Sequence, residues 1–156
     1  MNARDYVIVP DGHNWAALLK DWRPLLPIRY TVWMANLFGH VFVILDDESV
    51  HVLDIEMASF DRLAKSREEF RELLKQNDNF NQWYMAVLVD RCVDAGMSLK
   101  SGQCYGFVIP TILGGAYDVN NIKPMPMTEY YGFTASIHAQ TKDLPDGTKV
   151  VLKVVD

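Results

Sequence analysis

Between Gly102 and Gly115 the chain reads Gly-Gln-Cys-Tyr-Gly-Phe-Val-Ile-Pro-Thr-Ile-Leu-Gly-Gly, a run that leaves the backbone few choices. Cys104 to Ile109 is apolar and aromatic, and of strand length. Gly102 and Gly106 let the backbone turn or lie close against another segment. Pro110 removes a ladder donor, and Gly114-Gly115 supplies a turn that tolerates positive φ. Two readings fit: a core strand with a tight exit, or a loop shaped to contact a ligand or partner. These glycines are not spaced to cradle phosphate, and the chain carries no dinucleotide fingerprint and no G-x-S-x-G elbow.

Upstream, apolar periodicity predicts a short strand-like start at Tyr6 to Val9 and a turn at Pro10-Asp11-Gly12. A helix from about His13 would carry Trp15, Leu18, Leu19 and Trp22 on one face as core, ending before Pro24 and Pro27. From Ile28 to Ile55 the period is that of strands. Ile28 to Leu37, His40 to Leu45 and Val50 to Ile55 are separated by Phe38-Gly39 and by Asp46-Asp47-Glu48-Ser49. Loops this short predict an antiparallel meander, and the alternation predicts a sheet with one wet face. Glu56 to Leu63 reads as a fourth, edge strand.

Ser66-Arg-Glu-Glu69 matches the S-x-x-E capping box and opens a helix through Phe70, Leu73 and Leu74. A second helix is predicted from about Phe80 to Ala95, with Phe80, Trp83, Val87, Leu88 and Cys92 as its apolar stripe and Gly96 at its C′ position. Asn121 to Met127 is extended, with two prolines that confine it to an edge. Thr128 is placed to cap a last helix whose inner face is Tyr130, Phe133, Thr134 and Ile137. Pro145-Asp146-Gly147 predicts a turn, and Thr148 to Val155 a final strand. With no linker, repeat or low-complexity tract, the expectation is one α+β domain spanning 1–156: an antiparallel sheet, meander plus C-terminal strands, packed with about four helices.

A chain of 156 residues can bury a core without disulfides or metals. The net charge of −5 disfavours direct contact with nucleic acid or an anionic membrane, which need clustered Lys and Arg, and suits a basic partner. Cys92 and Cys104, each inside an apolar pattern, read as buried reduced thiols of a reducing cytosol. No signal peptide or membrane-length apolar run is visible, so a cytoplasmic protein is expected.

Candidate chemistry is sparse. His13, His40, His51 and His138 fall one per element without ligand spacing. Convergence of His40, His51 and Asp54 across a sheet, or a Cys104 nucleophile with His138 as base, would need the fold to assemble them. No cofactor or metal is expected. Asp46, Asp47, Glu48, Asp54, Glu56 and Asp61 form an acidic stretch containing no Lys or Arg. It reads either as a solvated loop and sheet face or as a patch that steers a basic partner, and it lacks the ligand rhythm of a calcium loop.

Taken together, Asn81-Gln-Trp83, Val89-Asp-Arg-Cys-Val-Asp-Ala-Gly96, Gly102-Gln-Cys-Tyr-Gly-Phe107, Pro110, Leu113-Gly-Gly-Ala-Tyr117 and Asn121-Ile122 resemble the bacterial Tdi-type immunity family. Its members are paired with DNase effectors of type VI secretion. His138-x-Gln140 followed by Lys142-Asp-Leu-Pro-Asp-Gly-Thr148 is similar to that family's ending, and Thr111 departs from an expected second proline. The resemblance implies a non-enzymatic protein that binds and neutralises a cognate effector, a basic nuclease, in the cytoplasm. Candidate partner-binding residues are Asp46, Asp47, Glu48, Asp54 and Glu56 for steering, with Tyr105 and Tyr117 as aromatic anchors. The alternative is a small-ligand-binding or accessory domain with its pocket near the Tyr105 to Tyr117 loop.

Overall fold

The computed structural model describes residues 2–151. Strand β1 (Val7–Ile8) follows a 3-10 turn, and the predicted first helix splits into α1 (Trp15–Leu18) and a 3-10 helix, Lys20–Leu25, that accommodates Pro24. The meander comprises β2 (Thr31–Asn36), β3 (Val41–Ile44), β4 (Val50–Asp54) and β5 (Ser59–Ala64). With β1 these make a five-stranded antiparallel sheet in the order β1-β2-β3-β4-β5, so the weak fourth strand of the meander does form an edge.

Asn36 shapes the β2–β3 turn. Its side-chain oxygen accepts from the amides of Phe38 and His40, and its amide nitrogen donates to the carbonyl of Trp83. Gly39, at φ +88, completes the turn where an L residue would be strained.

Helix α2 (Arg67–Leu74) begins as the sequence predicts, with Ser66 accepting from the amide of Glu69 at 3.1 Å. The return arm of the box differs: Glu69 accepts from the amide of Lys65, one residue before the cap. The single helix expected over 80–95 is two, α3 (Asn77–Tyr84) and α4 (Ala86–Asp94), broken at Met85, which sits in the left-handed region at φ 52. α4 ends in a Schellman motif: Gly96 N–H reaches the carbonyl of Val93, and Met97 N–H that of Cys92.

The glycine-framed stretch yields β6 (Gln103–Phe107), paired antiparallel with β7 (Ile122–Pro126) as a separate ribbon rather than an extension of the main sheet. Helix α5 (Met127–Thr141) starts one residue before Thr128 and has no side-chain cap. Its buried face is Met127, Tyr130, Tyr131, Thr134, Ala135 and Ile137, whereas Phe133 is partly exposed. Residues 148–151 carry no strand, and the rest of the final strand expected over 148–155 lies outside the described residues.

The sheet has no wholly wet face at its centre. Every residue of β3 is buried. Phe42 and Ile44 face one core with Phe70, Tyr84, Val89, Tyr105 and Phe107, beneath α2 to α4. Val41 and Val43 face a second with Leu19, Trp22, Leu53, Tyr130 and Tyr131, beneath α5. The expectation of a one-sided sheet fails because elements from both ends of the chain cover the second face. The continuous Val-Phe-Val-Ile run is the pattern of a strand buried on both sides. β6 bridges the layers: Cys104 enters the second core, Tyr105 and Phe107 the first, and Tyr105 N–H donates to the carbonyl of Leu37 at 2.7 Å.

Candidate partner-binding surface

The fold divides the acidic stretch. Asp46, Asp47 and Glu48 cap one end of β4, and Asp54 and Glu56 lie at the other. At the first end the charges are already partnered. Asp46 pairs with Arg29 at 2.7 Å and Glu48 with Arg67 at 4.0 Å, all four substantially exposed. Asp47 accepts from the hydroxyl and the amide of Ser49, and those bonds hold its carboxyl below the usual range. At the second end, Asp54 accepts from the amides of Glu56 and Met57 and so closes the β4–β5 turn.

Tyr105 is 2% exposed and Glu56 6%, so neither offers a partner more than a sliver of surface. Tyr117 is more than half exposed and rests edge-on against Phe107, its ring centroid 5.4 Å away.

Beyond β6 the chain makes a compact loop over 108–121, a feature built by a residue whose role the sequence reading missed. The Asn121 side chain accepts from the amide of Ile109 at 2.8 Å and donates to the carbonyls of Ile109 and Ala116. Its backbone carbonyl accepts from Val108 N–H. Asn121 thus clasps the neck of the loop, and Gly115 fits there because a Cβ would collide with the carbonyl of Ile109. The only trace in the sequence is a polar Asn pair after a glycine turn. The clasped loop presents Val108, Ile109, Ile112 and Tyr117 to solvent, next to exposed Met57 on the β4–β5 turn. An open depression of about 340 Å³ lies alongside, where Met57, Ile112, Leu144 and Val150 alternate with polar Lys142, Asp146 and Thr148.

Under the loop lies Glu56. Its Oε1 accepts from the Tyr130 hydroxyl at 2.7 Å, and its Oε2 from the Thr111 hydroxyl at 3.4 Å. Tyr130 in turn accepts from Phe107 N–H at 3.1 Å. Burial pushes the Glu56 carboxyl up to about 7, with Asp54 adding to the rise while the two hydroxyl donors oppose it. The adjoining cavity, lined by Glu56, Pro110, Ile112, Thr134 and His138 among others, measures about 10 Å³, room for about one water.

Burial pushes the Cys104 thiol up to about 12, away from thiolate chemistry, and His138 stacks on Trp22. His40 is buried with Nε2 unpaired, 3.6 Å from Asp54, and burial holds its pKa below the ordinary value. His51 turns instead to Ser49, at 3.0 Å, and stacks on Phe60. In that Asp47–Ser49–His51 chain the serine proton is directed to Asp47, and Ser49 is buried, so the order is wrong for an activated nucleophile. Among the described residues no three His, Cys, Asp or Glu side chains gather as metal ligands, and no helix is long and apolar enough to cross a membrane.

Residues 64–138 match the family described as T6SS immunity protein Tdi1, C-terminal. The match runs from the end of β5 into α5 and includes the whole clasped loop. No curated protein shows significant similarity to the chain.

Proposed function

We propose that this chain, whose residues 64–138 belong to the Tdi1-type T6SS immunity family, neutralises a cognate nuclease effector by docking the clasped 108–121 loop on it. The family match carries this reading, because immunity proteins of type VI secretion act by binding an effector. Neutralisation takes place in the cytoplasm, without a catalytic step by the immunity protein. The loop supports the assignment of the surface. Of its exposed apolar side chains, Val108, Ile109 and Tyr117 flank the neck that Asn121 pre-orders, which lowers the entropy cost of binding, and Tyr117 is of the type that anchors interfaces.

A DNase holds phosphates and is therefore basic around its cleft, and a net charge of −5 favours its approach. Asp46, Asp47 and Glu48 belong to that long-range field rather than to the contact, since they sit at the far end of β4, where Asp46 pairs with Arg29, Glu48 with Arg67, and Asp47 accepts from Ser49.

The test is co-expression with the product of the adjacent gene, followed by pull-down and a nuclease assay. The reading requires a stable complex with suppressed DNA cleavage. Ile112→Asp with Tyr117→Ala is expected to speed dissociation at least 10-fold. Reversing Asp46, Asp47 and Glu48 to Lys is expected to slow association less than 10-fold and to leave dissociation unchanged. A complex that withstands the loop pair but is lost on charge reversal would move the interface to the hairpin tip. No complex with a toxic neighbouring product would remove the immunity reading.

A further inference from the structure

Glu56 is an acid placed where three elements meet, with its carboxyl contacts made across chain separations of 55 and 74 residues. Oε2 meets Thr111, in the 3-10 turn Thr111–Leu113 on the underside of the loop. Oε1 meets Tyr130 of α5, whose hydroxyl also takes the Phe107 amide at the end of β6. Pro110 and Ile112 of the loop share the small cavity beside Glu56 with Ile55, Ala58, Thr134 and Ile137. The neck of the loop is fixed by Asn121, and the Pro110–Leu113 segment is joined to it through the amides of Gly114 and Gly115, which donate to the carbonyls of Thr111 and Pro110, so the segment moves as one flap with that glycine turn.

We propose that Glu56 is a pH-sensitive latch for this loop: the Pro110–Leu113 segment stays closed over a neutral carboxyl and lifts to admit water when the carboxyl ionises.

The direction follows from the surroundings. Among the described residues no cation is paired with Glu56. The titratable groups facing it are Asp54 on its own hairpin, Cys104 on β6, and Tyr130 and His138 on α5, with His40 behind Asp54. Two hydroxyl donors are poor compensation for burying a carboxylate, and water reaches it most directly by displacement of the cover. Closure therefore favours the neutral acid. With the closed-state value raised from 4.5 to about 7, closure is fully favoured below 4.5 and is lost as pH rises through about 7. The shift of the closed–open equilibrium between those limits is on the order of 100-fold. Because the same segment presents Ile112, the latch would make the proposed interface pH-dependent. That consequence rests on the immunity reading, whereas the latch itself does not.

The experiment needs no partner. Amide resonances of Thr111, Ile112 and Gly114 in the labelled full chain are followed from pH 5 to 9, together with the Glu56 side-chain carboxyl carbon. Expected is a common midpoint above 5 and no higher than about 7, its absence in Glu56→Gln, and an upward move of the midpoint in Thr111→Val, which removes a donor to the carboxylate. A Glu56 carboxyl that titrates between 4 and 5 overturns the proposal, as does a loop transition that persists in Glu56→Gln and disappears in His138→Gln. Should Glu56→Gln fail to fold, the wild-type carboxyl carbon and the Thr111→Val midpoint still decide.

Discussion

The hydroxyl of Tyr131 on α5 donates to the carbonyl of Gly39 in the β2–β3 turn at 2.8 Å, joining two residues 92 positions apart inside the second core. Burial holds the phenol well above its ordinary pKa, so it remains a donor across the physiological range. The backbone carbonyl of the same tyrosine accepts from the Trp22 indole at 3.0 Å, which brings the N-terminal segment into the same contact. Tyr131→Phe would leave the Gly39 carbonyl buried without that partner, at a cost of about 1–3 kcal/mol measurable by urea denaturation.

A wider consequence concerns the family-matched segment. Tyr105, Phe107, Tyr130 and Tyr131 all lie within 64–138, yet they pack against Phe38, Phe42, Val41 and Val43 outside it. We propose that the chain is one cooperative unit. A fragment of 64–138 alone should lack a cooperative thermal transition, while the full chain shows a single one by both circular dichroism and fluorescence. Two separated transitions in the full chain would refute this.

Glu56 also makes a prediction for global stability. Its folded value of about 7 stands above the ordinary carboxyl value of 4.5, so its contribution is fully present below 4.5 and declines as pH rises through about 7. His40 works in the opposite sense. Its folded pKa is lowered, so its contribution is present above 6.5 and falls as the unfolded chain takes up a proton below that. The two slopes mask each other in the wild type. In the difference between wild type and Glu56→Gln the His40 part cancels. That difference should shift in favour of the variant by about 2–3 kcal/mol between pH 4.5 and pH 8, as an upper bound that loop opening reduces. A flat difference curve would mean that Glu56 is solvated in the folded protein.

What could be read from the sequence was local. The meander, the Ser66 cap and the Gly96 stop rest on turn and capping residues within a few positions of the feature they specify. What could not be read was set by distant partners. Asp46 and Glu48 look unopposed along the chain because Arg29 and Arg67 arrive from other elements. Glu56 looks like part of a charged surface until Tyr130 and Thr111 fold over it. Met85 has no breaker chemistry. Its left-handed conformation is held by tertiary packing, so the apolar stripe through 80–92 continues in sequence across a real break in the helix.

Gly115 offers the sharpest test of the clasped loop. Its φ is not in the left-handed region, so an alanine there is excluded by space rather than by backbone conformation. The methyl would meet the carbonyl of Ile109, the same group that accepts from the Asn121 amide, and would approach that amide itself at 2.8 Å. Gly115→Ala should therefore break the neck of the loop while leaving the two cores intact, because Gly115 belongs to neither. Expected are a loss of about 1–3 kcal/mol, rapid hydrogen exchange at Val108 and Ile109, and weakened effector binding. Gly114→Ala is the comparison. It meets no neighbour within 4 Å but sits at φ +92, so it should cost about 1 kcal/mol through backbone strain with less disturbance of the Asn121 clasp. If Gly115→Ala exchanges and binds like the wild type, the neck is more plastic than its hydrogen bonds imply, and the loop is not the rigid element that docks.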